Sequence, residues 1–323
     1  MDRYLAPLVA VAAAFVSASA SASAADPAQP AAPAAPAAPP AAGRVEIIAH
    51  RGASHDAPEN TVAAWKLGFE QGADAGELDV WISKDGRAVV MHDASPQRTA
   101  GTGTGTGTGA AAAAAGKIAD LTLAELKGLD VGSYGKFKGG KFAGERVPTL
   151  EEALATVPAG RRMFVEIKCG PEGVPETLRA VKEAGLSPAQ TPLISFNAAV
   201  LTEAKKLRPD LAVYWLVGLG NKKGKEIDVD AVIAKAKAAG FEGLDVSDNP
   251  ILDAGFVRKT RAAGLKLYVW TVDDPAAAKR LAALGVDGIT TNRPGLLRAE
   301  LGLPALPAPA PTTPKKTDGS VKP

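Results

Sequence analysis

Three histidines occur in this 323-residue chain, and all lie within AHRGASHDAPENTVAAWKLGFEQGADAGELDVWISKDGRAVVMHD, Ala49 to Asp93. His50 follows the apolar run VEIIA and His92 follows AVVM, so each closes a strand-like segment. Two imidazoles at one site can act as acid and base on opposite sides of a scissile bond. Residues i and i+2 of a strand share a face, which projects Glu77 with Asp79 in ELDV, and Glu166 with Lys168 in FVEIK. Carboxylates grouped on apolar strands are costly unless something positive compensates them. Three oxygen ligands on neighbouring strands suit a hard divalent cation, with room for water and a substrate oxygen. Internal salt bridging to Arg51 or Lys168 is the structural alternative. His55, in ASHDAP, has no such company and receives no catalytic role.

Charge narrows the substrate. Glu77, Asp79 and Glu166 together with Arg51, Lys168 and a divalent cation leave one net positive charge, which a phosphodiester monoanion neutralises. A metal and a guanidinium can hold non-bridging oxygens and stabilise the charge that grows on them during displacement. Phosphodiester cleavage fits this constellation.

Such residues need a scaffold that brings strand ends together. Strand-length apolar runs recur at 45–50, 77–80, 163–168, 193–196, 212–217, 243–247, 265–272 and 287–292. Helical periodicity separates them, as in VDAVIAKAKAAG and DPAAAKRLAALG, the second ending at a glycine suited to a C-cap. Eight strands alternating with helices predict an α/β fold, a closed (β/α)8 TIM barrel. A ninth run, RAVVMH at 87–92, follows ELDVWIS too closely for a crossover and is predicted as an antiparallel hairpin partner. A two-residue turn at Asp85-Gly86 would set Lys84 against Arg87 and His92 opposite Asp79, returning His92 to the barrel mouth.

The flanks have different compositions. Leu5 to Val16 is apolar and leads into SASASASAAD, whose Ala22-Ser23-Ala24 has the form of a signal-peptidase site. The run is too short to span a bilayer, so residues 1–24 are read as a signal peptide and the protein as periplasmic or secreted. Residues 25–43 form a Pro/Ala spacer, and 304–323 a Pro-rich tail. The intervening 44–303 matches the ~250 residues of one barrel. The single cysteine, Cys169, excludes an internal disulfide framework. A net charge of +2 without a basic block interleaved with aromatics argues against nucleic acid as a partner.

HRG followed by PENT, ELDV, KDG and HD, and then RTAGTG, VPTLEEAL, EIK, SFN, YVWTV and GVDGITTNRP, resembles the glycerophosphodiester phosphodiesterases across essentially the whole domain. The resemblance implies His50 and His92 as acid and base, Glu77, Asp79 and Glu166 as metal ligands, and Arg51 and Lys168 as phosphate contacts. It also implies Trp270 as a pocket aromatic, although a buried barrel tryptophan is an equal reading. PENT is read mainly as a helix start, with Asn60 as the cap. The implied substrate is a small glycerophosphodiester, cleaved to sn-glycerol 3-phosphate and an alcohol. The all-oxygen ligand set favours Ca²⁺ or Mg²⁺ over zinc.

The resemblance implies an insertion, at about 94–147, that helps bind the alcohol; the departure lies within it, where RTAGTGTGTGTGAAAAAAGK extends the usual pattern into a Gly/Thr and Ala repeat read as mobile. DLTLAELKGL, 120–129, is predicted as a helix of that insertion. Two other outcomes use the same fold: a phospholipase-D-like lyase forming a cyclic phosphate, and a non-catalytic envelope barrel. Aromatics at 5% of the chain give no membrane-seeking loop for the first, and the second would be favoured by a missing catalytic group, of which there is none.

Overall fold

The computed structural model describes residues 44–100, 116–220 and 227–306. The predicted leader, the Pro/Ala spacer, most of the repeat and most of the tail lie outside the described residues. The strands are β1 (Glu46–Ala49), β2 (Ala75–Ile82), β3 (Ala88–Val90), β4 (Arg162–Ile167), β5 (Leu193–Ser195), β6 (Val213–Val217), β7 (Gly243–Ser247), β8 (Lys266–Trp270) and β9 (Gly288–Thr291). They run in the order β1-β9-β8-β7-β6-β5-β4-β2, and β2 pairs again with β1. Every pairing in this ring is parallel, so the sheet closes into an eight-stranded barrel. The helices around it are α1 (Val62–Glu70), α2 (Leu123–Lys127), α3 (Leu150–Leu154), α4 (Val174–Ala184), α5 (Ala198–Leu207), α6 (Val229–Ala238), α7 (Ala254–Ala262), α8 (Pro275–Leu284) and α9 (Pro294–Glu300).

Alternation along the strands builds two cores. Ile47, Leu78, Val80, Val165, Leu244 and Ile289 face outward and pack with the helices, whereas Ile48, Phe164, Tyr214 and Tyr268 fill the barrel interior. The three rings pack with centroids 4.8 to 5.7 Å apart, each such pair contributing about 0.5–1.5 kcal/mol beyond its burial. They fill the barrel interior beneath the charged residues of the site. The expected capping of α8 is present: Asp274 accepts from Ala277 N at 2.8 Å, and Gly285 ends the helix at φ 83°.

The hairpin is antiparallel as expected, but its register is one residue off. Val80 pairs with Val90 and Ile82 with Ala88, which sets Met91 rather than His92 against Asp79. The connection has three residues, Lys84 to Gly86, closed by a hydrogen bond from Ser83 N to Arg87 O. Gly86 adopts φ 75°, the left-handed position that a three-residue hairpin loop requires. His92 nevertheless reaches the barrel mouth, because β3 ends at Val90 and alternation stops there. β1 pairs with β2 at Ala75 and Gly76 and β3 at Val80 to Ile82, so Glu77 to Asp79, between them, pair with no strand but β4.

In the insertion, the predicted helix at 120–129 is shorter. A 3₁₀ turn at Ile118–Asp120 precedes α2, whose start is a capping box between Thr122 and Glu125. Ile118, Leu121, Leu126 and Leu129 pack against Val89 and Met91 of the hairpin, which anchors the insertion on the strand that delivers His92.

Candidate active site

A cavity of about 480 Å³ opens inside the C-terminal ends of the barrel strands, the end at which such barrels carry their functional groups. His50, Arg51, Glu77, His92, Glu166, Lys168 and Trp270 all line it. Asp79 lies beneath them, 1% exposed. His55 lies apart, exposed and paired with its neighbour Asp56 at 2.7 Å.

Glu77, Asp79 and Glu166 each offer a carboxylate oxygen within 4.8 Å of the others. Asp79 and Glu166 are direct partners between β2 and β4. At that separation, two unit charges repel by about 3.5 kcal/mol at an effective dielectric of 20, so three bare anions cannot coexist without counter-charge. Lys168 Nζ supplies part of it, 3.1 Å from Glu166 and 3.4 Å from Asp79. Arg51 supplies more, with Nε 3.3 Å from Asp79 Oδ2 and its backbone N–H donating to Glu77 Oε2 at 2.9 Å. The salt bridging weighed as an alternative is therefore present together with the acidic cluster.

It does not satisfy that cluster. Burial and the charge of Asp79 push Glu77 well above the usual carboxylate range, and the same causes raise Glu166 to about 8. Burial works against ionising Asp79 too, but Arg51 and Lys168 outweigh it and hold that carboxyl low. Asp79 Oδ1 is occluded and lacks a hydrogen-bond partner. A buried Asp79 oxygen with the Lys168 ion pair but no hydrogen bond, two carboxyls whose ionisation burial opposes and an all-oxygen donor set fit a divalent cation.

The two histidines differ in what holds Nδ1. That of His50 lies 2.8 Å from Asn292 Oδ1. Asp273 accepts from Asn292 Nδ2 at 2.6 Å, and Ser54 Oγ donates to Asn292 Oδ1 at 2.7 Å, so the amide is fixed with its oxygen toward the ring. His50 thus carries its hydrogen on Nδ1 and leaves Nε2 a free acceptor. Desolvation, then the Arg51 charge, pushes its pKa down to about 4, and the ring is neutral at pH 7. His92 Nδ1 instead meets Asp93 Oδ1 at 2.7 Å. Asp93 is kept ionised against its partial burial by Arg98, whose Nε donates to Oδ2 at 2.6 Å.

The roles of four supporting residues, two of them Glu59 and Asn60 of PENT, differ from or go beyond the sequence expectation. Asn60 is not the helix cap; Thr61 is, accepting from Ala64 N. Asn60, at φ 57°, donates to Asp79 Oδ2 at 2.7 Å. Glu59 bridges Arg51, at 2.9 Å, and Arg98, at 2.7 Å, which links the two histidine-bearing segments. Asn292 and Asp93 are the others. Asp93 was within reach in the HD pair, whereas Asn60 and Asn292 act on partners that pattern cannot supply. Trp270 is half-buried at the cavity wall, its Nε1 donating to the backbone oxygen of Asp245 at 3.1 Å and its ring edge-on to Phe196 at 5.5 Å.

A TIM barrel with an acidic triad, an arginine, a lysine and two imidazoles at its C-terminal mouth defines the class of barrel phosphodiesterases. Residues 50–296 match the sequence profile of the Glycerophosphoryl diester phosphodiesterase family. A glycerophosphodiester phosphodiesterase of Caldanaerobacter subterraneus subsp. tengcongensis is 36% identical over 78% of this chain and 95% of its own. Among solved structures, a putative glycerophosphoryl diester phosphodiesterase from Silicibacter pomeroyi superposes with a TM-score of 0.69 at 27% identity, covering 80% of this chain and 94% of that one. An Oleispira antarctica phosphodiesterase, solved in complex with the product sn-glycerol-3-phosphate, gives 0.66 at 30% identity over 80% and 96%. The chain belongs to the glycerophosphodiester phosphodiesterase family and is a phosphoric diester hydrolase.

Proposed function

We propose that this protein is an exported phosphodiesterase that hydrolyses glycerophosphodiesters to sn-glycerol 3-phosphate and an alcohol, using His50 as base and His92 as acid. The observation that carries the reading is the different Nδ1 partner of each ring. His50, neutral and with Nε2 free, takes the proton from the attacking oxygen, either water or the neighbouring glycerol hydroxyl. His92, backed by the ionised Asp93, protonates the leaving alkoxide. Arg51 and Lys168 hold the phosphoryl oxygens. Glu77, Asp79 and Glu166 would hold one Ca²⁺ or Mg²⁺, which supplies charge stabilisation at those oxygens. Trp270 forms an aromatic wall of the substrate pocket.

The leader composition, with Ala22-Ser23-Ala24 after the apolar run, supports export. Among the described residues no helix is long and apolar enough to cross a membrane. The decisive assay is hydrolysis of glycerophosphocholine with and without chelator, followed by phosphorus NMR. Release of sn-glycerol 3-phosphate and choline only when the cation is present is expected. A stable cyclic phosphate as final product, or no turnover at all, would refute the reading.

A further inference from the structure

The cavity has two unlike halves. Around the barrel, β7 is four strands from β2 in either direction, so Asp245 stands diametrically across from Glu77. Its neighbours are apolar: Ile194 of β5, Leu216 of β6, and Trp270 of β8 line the same wall. Asp245 is the acidic residue of this half, 2% exposed, and its Oδ1 is occluded without a hydrogen-bond partner. The indole N–H beside it donates to the backbone oxygen of Asp245 and leaves the carboxyl unassisted. None of the roles assigned above, to cation, phosphate or proton transfer, uses it.

A buried, unpaired carboxyl is unfavourable in the free protein, and at the C-terminal layer of a barrel it faces the space a ligand enters. We propose that Asp245 reads the glycerol moiety of the substrate, its carboxyl pairing with a glycerol hydroxyl while Leu216 and Trp270 flank the carbon chain. The inference rests on the glycerophosphodiester reading and extends it to the specificity-determining residue. Asp245 lines the cavity, and a small rotation of its carboxyl would present the occluded oxygen to a glycerol O–H that supplies the missing hydrogen. A trimethylammonium group is bulkier and has no hydrogen-bond donor, so it cannot satisfy that atom. Phosphate bound between Arg51 and Lys168 then leaves the variable alcohol toward the mouth, beside the insertion that carries Tyr134.

The test compares Asp245→Leu and Asp245→Asn with wild type on glycerophosphocholine, glycerophosphoinositol and bis(4-nitrophenyl) phosphate, which has no glycerol. A site built around a substrate hydroxyl discriminates strongly against analogues that lack it. Asp245→Leu is expected to lower the kcat/KM ratio of both glycerol substrates to the nitrophenyl diester by about tenfold or more. Asp245→Asn, which still donates and accepts, should keep that ratio within about threefold. The melting temperature of Asp245→Leu should not fall, because an unpaired carboxyl has been replaced by an apolar group. Equal losses on all three substrates with a lowered melting temperature would mark a structural residue and overturn the proposal, as would wild-type selectivity. A loss confined to glycerophosphocholine would assign Asp245 to the cationic alcohol, which also overturns it. If the wild-type enzyme cleaves the nitrophenyl diester and neither glycerol substrate, the underlying substrate reading fails and this inference falls with it.

Discussion

Nδ1 of His50 meets Oδ1 of Asn292 at 2.8 Å across 242 residues of sequence. The contact joins the first and last strands of the barrel, and it decides which nitrogen of the ring faces the cavity. Because Asp273 and Ser54 fix the amide, the tautomer is set by residues after the closing β9 and β8 strands together with Ser54 of the loop that follows His50. The proposed role of Nε2 as base therefore depends on barrel closure between β1 and β9.

Asn292→Ala should lower kcat while leaving KM nearly unaltered. The variant removes the acceptor that orients His50 but touches neither Arg51 nor Lys168, the proposed phosphate contacts. A loss of about 10- to 100-fold in kcat is expected, in the range of removing a group that orients a functional histidine. Steady-state kinetics on glycerophosphocholine measure it, and a rise in KM with kcat intact would show that Asn292 serves binding instead.

His50→Ala and His92→Ala should each reduce kcat by at least ~10², the scale of losing a general acid or base. His55→Ala should stay close to wild type, since that ring is exposed and pairs only with Asp56. Asp93→Asn should fall between these limits, because the amide keeps a contact to His92 but no longer offers a charge. A fully active His92→Ala enzyme would contradict the acid assignment.

How much of this was legible follows from where each signal resides. The eight barrel strands are short, largely buried and mostly apolar runs, and the i, i+2 spacing of Glu77 with Asp79 puts both on the inner face without any tertiary knowledge. The hairpin was read correctly as antiparallel, yet its register depended on loop length, and a third loop residue at Lys84 shifted it by one. Pattern alone suggests Asn60 as the cap because Asn commonly caps helices, whereas Thr61, one residue on, satisfies Ala64 N and frees Asn60 to hold Asp79. Asn292, Asp273 and Asp245 belong to strand ends whose neighbours are set by barrel closure. No local periodicity encodes that.

Cation binding should stabilise the protein more at pH 8 than at pH 5. Without a cation, Glu166 titrates at about 8, and Glu77 is raised well above its ordinary value. Groups whose folded pKa is raised contribute stability below the unfolded carboxylate range, and that contribution is lost as pH rises through the folded value. The cation-free fold thus loses stability between roughly pH 4.5 and 8, while a bound cation favours the ionised carboxylates and restores it. Melting temperature with EDTA and with Ca²⁺ or Mg²⁺ at both pH values provides the check. An identical shift at the two pH values would mean that the triad is not the ligand set.

Gly52→Ala should destabilise the whole barrel rather than merely slow the reaction. Gly52 sits at φ 85°, where an L side chain is strained, and an added Cβ would lie 2.4 Å from the backbone carbon of Ala64 in the first turn of α1. Neither side can yield cheaply: Ala64 is buried in the helix, and Gly52 N donates to Ala49 O at 3.1 Å in the turn that ends β1. That turn also aims the Arg51 N–H at Glu77 Oε2, so relief by moving the backbone would dismantle the contact between Arg51 and the triad. Strain and overpacking together should cost about 3 kcal/mol or more. For a domain of this size that lowers the melting temperature by several degrees, accompanied by weaker cation binding. A variant with wild-type melting temperature and cation affinity would show that the turn tolerates a side chain and that the close packing of α1 on β1 is not required for the site.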